Sequence, residues 1–406
     1  MKIEFFTPPG HRGGASQGAQ AAKAGNLIFV GGQMSLDDKG KVVGSDIATQ
    51  ARNTFEALKR VLAAAGAKMS DVVKHNVYFA CEDSKIAEFM ADLDRVRADY
   101  FSSPGPTTTE IRVGLEKEGA LILVDAWAVL GDNKRRLMPA NHWSWSKPTP
   151  FSHGWQAGDL LFVGGQRSLD GNGNPVGQGD IEAQTANVFR NLETVFREAG
   201  GDRNNLMRQN TYYRFRGEGR EVTEYWEKMT HVRRKYMAVP SAAGAGLRIT
   251  GFPTDRELIQ VEGIGVLSGD RQRLMPADHW DWSIPDNKFT QGWKAGGIVF
   301  VGGQISADAK ARAVGPDLAT QTRNVFNFIR KVLQEAGLEE KDVAKLYTYY
   351  DGGESWADIE RSSAEVQKIK DEFYPAPGPA STAVRVTGFA YEKLLIEIEA
   401  VAICRD

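Results

Sequence analysis

The phrase Phe-Val-Gly-Gly-Gln occurs three times in this chain, ending at Gln33, Gln166 and Gln304, and this limits the fold more than any other feature. Downstream of each lies a matching segment: GSDIATQARNTFEALKRVLAAAG, QGDIEAQTANVFRNLETVFREAG and GPDLATQTRNVFNFIRKVLQEAG. Their glutamines Gln50, Gln184 and Gln321 keep nearly the same intervals. Solenoid and propeller units run to roughly 20–50 residues. A period near one third of 406 residues is domain-sized instead. The chain thus divides into repeat 1 (1–134), repeat 2 with a connector (135–270) and repeat 3 with a connector (271–406).

Within a repeat the order reads β, β, α, β, α, β, β. Leu27–Val30 is a short apolar strand closed by a Gly-Gly pair, and Asp37-Asp38-Lys39-Gly40 makes a hairpin turn. Asp46 caps a helix whose stripe is Ile47, Ala51, Phe55, Leu58 and Leu62. Gly66, Gly200 and Gly337 stop this helix in the three repeats. Val72–Phe79 is a strand, Ile86–Phe101 a second amphipathic helix, and two strands follow around 108–115 and 120–130. Two helices on one face of a mixed sheet give an α+β sandwich. The other face finds no cover within its own repeat.

Alternation in the last strands predicts what that face carries. Val384, Val386, Ile396 and Ile398 alternate with Arg385, Glu397 and Glu399, which assigns the apolar set to the helices. Repeat 2 places Leu247 and Ile249 against Arg248, and Val261 between Gln260 and Glu262. Repeat 1 places Ile111 and Val113 against Arg112, and Ile122 and Val124 against Leu123 and Asp125. Three such sheets turned inward enclose a polar central barrel. The connectors 135–158 and 271–296 are near-copies holding six of the nine tryptophans, too much aromatic area for a free linker. They read as straps docking each repeat on the next, with His142 and His279 as buried hydrogen-bonding anchors.

Fifty basic residues against fifty-two acidic ones leave a net charge of −2, which implies no nucleic-acid partner. The two cysteines, Cys81 and Cys404, exclude a disulfide framework and fit a reducing compartment. No apolar run is long enough to span a bilayer, and the N-terminus lacks a signal-length apolar core. A cytoplasmic protein without a membrane partner is expected. None of the six histidines pairs at metal-binding helical spacing, so neither metal nor cofactor is expected.

With its FVGGQ strand, G-x-D-[IL]-x-x-Q helix start, EAG or AAG helix end and late LLIEIEAVAI segment, each repeat resembles the RidA/YjgF family of imine and enamine deaminases. The resemblance implies a chorismate mutase-like fold, and a homotrimer's worth of domains in one polypeptide: a pseudo-trimer with three non-identical clefts between repeats. It also implies an arginine in a Pro-Ala-Arg segment gripping the substrate carboxylate, a task suited to guanidinium. Here repeat 3 has Ser381 at that position, repeat 1 reads Pro106-Thr107-Thr108-Thr109, and repeat 2 reads Ala242-Ala243-Gly244-Ala245. The family's water-activating glutamate aligns with Glu397, Gln260 and Leu123, and its cleft tyrosine with Phe289 and Phe151.

These alignments give the candidate site. Glu397 is the expected general base, its pKa raised by a partly dehydrated cleft, unless it is merely salt-bridged to Arg385. Arg112, Arg248 and Arg385 share one position and are read as inward-facing. They bind an anionic or carbonyl substrate, or else pair with Asp125, Glu262, Glu397 or Glu399 as structural ion pairs. Arg385 is the expected stabiliser of developing negative charge, and Ser381 a hydrogen-bond donor or nucleophile in the same site. Phe151, Phe289, Glu262 and Glu399 complete the expected substrate contacts. The reading that follows is a small-molecule C–N hydrolase whose substrate lacks an α-carboxylate. The alternative is a non-catalytic small-molecule-binding or interaction protein, and further self-association is left open.

Overall fold

The computed structural model describes residues 1–11, 18–283 and 288–405; residues 284–287 of the second connector lie outside them. Repeat 1 runs β1 (Ile3–Phe6), β2 (Ala21–Ala24), β3 (Leu27–Met34), α1 (Ile47–Ala64), β4 (Val72–Phe79), α2 (Ile86–Arg97), β5 (Thr107–Arg112) and β6 (Ile122–Val129). Repeat 2 runs β7 (Lys134–Leu137), β8 (Gly154–Ala157), β9 (Leu160–Gln166), α3 (Ile181–Glu198), β10 (Leu206–Arg214), α4 (Arg220–Arg233), β11 (Ala243–Ile249) and β12 (Ile259–Val266). Repeat 3 runs β13 (Arg271–Leu274), β14 (Gly292–Ala295), β15 (Ile298–Ile305), α5 (Leu318–Glu335), β16 (Val343–Tyr350), α6 (Trp356–Phe373), β17 (Ala380–Arg385), β18 (Gly388–Phe389) and β19 (Ile396–Ile403).

The sheets have the orders β1-β2-β3-β6-β4-β5, β18-β11-β10-β12-β9-β8-β7 and β13-β14-β15-β19-β16-β17. Only β4/β5, β10/β11 and β16/β17 pair in parallel, because a helix carries the chain between them. The connectors supply β7 and β13, the edge strands of the repeats they introduce. Strand β18 crosses over to pair with β11, so repeat 3 contributes to the sheet of repeat 2. Asp46 caps α1 by accepting from the Thr49 N–H at 2.8 Å, and the stripe from Ile47 to Leu62 is buried. Gly66, Gly200 and Gly337 take positive φ at the helix ends. Among the described residues, no helix is long and apolar enough to cross a membrane.

Two expectations need correction. The Gly-Gly pair does not close the first strand: β3 continues to Met34, with its pairing register shifting between Val30 and Gln33. Beyond the Asp37–Gly40 turn the hairpin is reduced to one bridge, Leu36 to Val42. The sheet faces turned away from the helices are also less uniformly polar than alternation suggests. Ile111, Leu247 and Val384 join Trp127 and four tyrosines in one buried cluster there, while Ile396 and Ile398 pack with the helices. An apolar residue on β5, β11 or β17 therefore does not mark the helix side.

The polar part of these faces is an ion network that links the repeats in one sense. Lys74 of repeat 1 donates to Glu262 of repeat 2 at 2.7 Å. Arg208 of repeat 2 donates to Glu399 of repeat 3 at 2.7 Å, and Lys345 of repeat 3 lies 3.7 Å from Asp125 of repeat 1. Backbone bonds follow the same three junctions: Arg112 N to Gly251 O at 2.8 Å, Thr387 N to Arg248 O at 3.0 Å and Gly114 N to Arg385 O at 3.0 Å. The straps add Trp155 Nε1 to Gly105 O and Trp293 Nε1 to Ser241 O, both at 2.9 Å. Each connector thereby docks on the repeat before it.

Candidate active site

Each junction sets the strand that follows the second helix of one repeat (β5, β11, β17) against the Gly-Gly strand of another (β9, β15, β3). The first glycine permits that approach. A Cβ on Gly164 would stand 2.0 Å from Thr107 Oγ1, one on Gly302 2.9 Å from the Gly244 N, and one on Gly31 2.9 Å from the Ser381 O. The second glycine makes room for the next strand's side chain, and at Gly303 that neighbour is the Glu397 carboxylate. The repeated phrase thus builds the wall of each cleft, and only in repeat 3 does that wall hold an acid.

Between repeats 2 and 3 lies a cavity of about 140 Å³ lined by Glu397, Arg233, Trp226, Trp280, Trp282 and Phe289, among others. Glu397 is only 6% exposed and belongs to no ion pair within 4.0 Å among the described residues. Burial, reinforced by the charge of Glu399, pushes its carboxyl well above the ordinary range, against a weaker pull from the Gly246 N–H and Arg233. The Arg233 guanidinium lies 4.3 Å from the Trp226 ring centroid, and its shielded Nε has no hydrogen-bond partner. Burial lowers Arg233 to about 10, still cationic at neutral pH. The Thr230 Oγ1 and Trp280 Nε1 are likewise shielded and unpartnered. A buried carboxyl whose pKa is raised, a cation and aromatic walls thus share one small space, with Glu227 also in its lining.

The other two clefts lack that acid. The cleft between repeats 1 and 2 is larger, about 520 Å³, but its buried charges are matched, Arg97 with Glu110 and Asp94, and Arg167 with Glu257, with Lys147 and Arg256 exposed. Gln260, standing where Glu397 does, donates to Glu257 at 3.2 Å. Between repeats 3 and 1 only about 30 Å³ is left, with Leu123 at the acid's position and Glu116 engaged by Tyr350 and Ser363.

The expected constellation of Glu397, Arg385 and Ser381 does not form. Ser381 lines the cavity between repeats 3 and 1 and donates to the Pro379 O at 3.1 Å, whereas Glu397 faces β11 of repeat 2. Arg112, Arg248 and Arg385 line none of the described cavities and do not pair with the facing carboxylates. Their guanidinium groups donate to backbone carbonyls at the junctions, Arg112 to Cys81 and Thr250, Arg248 to Gly217 and Thr387, Arg385 to Leu115 and Gly353, and Arg112 also forms an ion pair with Asp83. Glu262 and Glu399 are fully buried and held by Lys74 and Arg208, so the substrate contacts expected of them give way to a structural role. Phe289 lines the Glu397 cavity, and Phe151 lines the cleft between repeats 1 and 2.

His142 and His279 are hydrogen-bonding anchors as expected, and their partners are the FVGGQ glutamines, with His142 Nε2 2.9 Å from Gln166 Oε1 and His279 Nε2 2.8 Å from Gln304 Oε1. Two features were not legible in the sequence. His11 does the same for Gln33 at 2.6 Å, a third anchor disguised by its different flanks. Arg233 is the other. Its signal was the aligned trio Val96-Arg97, Val232-Arg233 and Ile369-Lys370 near the end of each second helix.

Residues 15–130, 145–244 and 283–404 match the family model described as endoribonuclease L-PSP. A RutC family protein of Pyrococcus horikoshii is 36% identical over 111 residues, 27% of this chain and 84% of the relative. The 3-aminoacrylate deaminase RutC of Acinetobacter baylyi is 32% identical over 123 residues, 30% of this chain and 94% of that protein. A chorismatase crystal structure aligns over 82% of this chain and 93% of its own with a TM-score of 0.53 at 16% identity, a likeness of fold alone.

Proposed function

This chain belongs to the endoribonuclease L-PSP family, as three tandem copies of the RidA/YjgF domain, and from that premise we propose that it hydrolyses a small imine or enamine in the cleft between repeats 2 and 3. The observation that carries this reading is Glu397, a buried carboxyl without an ion-pair partner, held against the Gly246 N–H at the edge of a cavity. A relative named as a 3-aminoacrylate deaminase supports this reaction class.

A carboxyl raised in this way starts protonated, as a general acid working near neutral pH requires. It gives its proton to the imine nitrogen, leaving a carboxylate beside an iminium. That carboxylate takes a proton from the water attacking the iminium carbon, and a carbinolamine results. The proton then returns to nitrogen, and the C–N bond breaks with its electron pair leaving as ammonia. Loss of the hydroxyl proton to Glu397 gives the carbonyl product and restores the acid. Gln260 and Leu123 can perform neither transfer, so the proposal confines hydrolysis to one cleft.

The same proposal sets the three repeats around a common axis as an intramolecular trimer. Supporting it are the ion pairs that run from each repeat to another in one sense, and the backbone bonds that cross the same three junctions. The test of function is ammonia release from a panel of enzymatically generated imines and 3-aminoacrylate. At least one substrate should be accelerated, and Glu397→Gln should lower kcat by about 10²–10⁴-fold. A panel with no accelerated member would favour a non-catalytic binding protein, and full activity in the variant would remove Glu397 from the chemistry.

A further inference from the structure

Arg97, Arg233 and Lys370 occupy one position near the ends of α2, α4 and α6, and each lines the cleft of its own junction. Two acidic positions serve these cations. On β5, β11 and β17 the residues are Glu110, Gly246 and Ala383, and in the loop before the last strand they are Glu116, Pro253 and Ala390. Between repeats 1 and 2, Arg97 is met by Glu110, with Asp94 one helical turn back. Between repeats 3 and 1, Lys370 shares a cavity with Glu116. Between repeats 2 and 3 every such position is neutral: Gly246 on the strand, Ala390 in the loop and Thr230 one turn back. The guanidinium remains, stacked on Trp226, while the carboxylates that answer it elsewhere are missing; Glu227 also lines the cavity but accepts from the Tyr391 hydroxyl at 3.2 Å and forms no ion pair with Arg233 within 4.0 Å among the described residues.

We propose that the missing carboxylate is the ligand's, so that Arg233 of α4 takes over the anion-holding task for which β11 has no arginine. This rests on the proposed active site and deepens it. Loss of the strand arginine, taken alone, predicts a substrate without an α-carboxylate. The helix restores the cation from another direction, and the substrate becomes a carboxylate whose anion lies on the α4 side of Glu397. A charge-assisted, bidentate pair with a planar guanidinium is the interaction this position can make. Gly246 allows it, because a Cβ there would stand 2.2 Å from the Trp226 ring that fixes the guanidinium. Trp280, Trp282 and Phe289 oppose the cation with aromatic surface. At about 140 Å³ the cavity compares with the roughly 150 Å³ space known to hold benzene, so the ligand is a small, flat carboxylate.

Benzoate and its neutral counterpart benzamide test this in the full chain by calorimetric titration and thermal shift. Benzoate should bind and raise Tm, and benzamide should bind about tenfold more weakly or worse. Arg233→Met should weaken benzoate about tenfold with an unchanged circular dichroism spectrum, and Arg233→Lys should recover part of the loss. Ala390→Glu, which supplies an internal acid as Glu116 does at the neighbouring junction, should abolish benzoate binding without unfolding the chain. Glu397→Gln should retain benzoate binding, so the anion site is scored even if no imine is ever hydrolysed. Equal binding of the two probes, no binding of benzoate, or indifference to Arg233→Met would each overturn the proposal.

Discussion

Between repeats 1 and 2, Arg97 is closed off by Glu110 and Asp94, and Arg167 by Glu257; between repeats 2 and 3, Arg233 and Glu397 face a cavity outside any ion pair. The two clefts share one backbone plan, and the roomier of them is the one whose buried charges are matched. Under the proposed function, unbalanced buried charge and not cavity size marks the reactive cleft. Fusing three copies into one chain lets a single junction bear the energetic cost of an unsatisfied acid and cation while the others hold the fold.

The comparison breaks most visibly at Glu110. Glu110→Gln leaves the Arg97 guanidinium, 3% exposed, without its buried partner, and should cost about 3 kcal/mol of stability in urea unfolding with turnover kept. An unfolding midpoint that does not move would mean the matched cleft is not held by its charges. Gly246→Ala tests the other cleft. Its methyl group collides with Trp226, which predicts about 1–3 kcal/mol of destabilisation together with loss of turnover, the two read by denaturation and ammonia release.

A subtler contrast lies in pH. Because burial raises Glu397 in the folded chain above the unfolded value of 4.5, the native state holds the proton more tightly. Stability from this group is complete below that unfolded value and declines as pH rises, until the folded-state value is passed. Glu397→Gln should therefore gain stability over the wild type progressively above about pH 4.5. A constant difference across pH would argue that the group titrates normally. The smallest effect is expected at Arg233→Met, where no ion pair is lost. Stability should change by less than about 1 kcal/mol in either direction, in contrast with Glu110→Gln.

Much of the fold was legible because repetition and periodicity carry it. Asp46, the stripe from Ile47 to Leu62 and the stopping glycines act locally, and they form the predicted helix. The arginines went astray for a tertiary reason. Parity along β17 distinguishes two faces but cannot say which one meets the helices, and Val384 packs away from them while Ile398 packs against them. Glu397 and Phe289 could be named from the resemblance, yet their cavity needs β11 and α4 of another repeat, far off in the chain. Arg233 becomes visible only when equivalent clefts are compared, since an arginine at a helix end says nothing until Gly246, Ala390 and Thr230 are seen around it.

The state of one proton decides the matter most directly. Infrared difference spectra at neutral pH between the wild type and Glu397→Gln should show a protonated carboxyl carbonyl band belonging to Glu397. A difference confined to carboxylate bands would mean that the group is already ionised at rest, and the acid at the centre of this account would not exist.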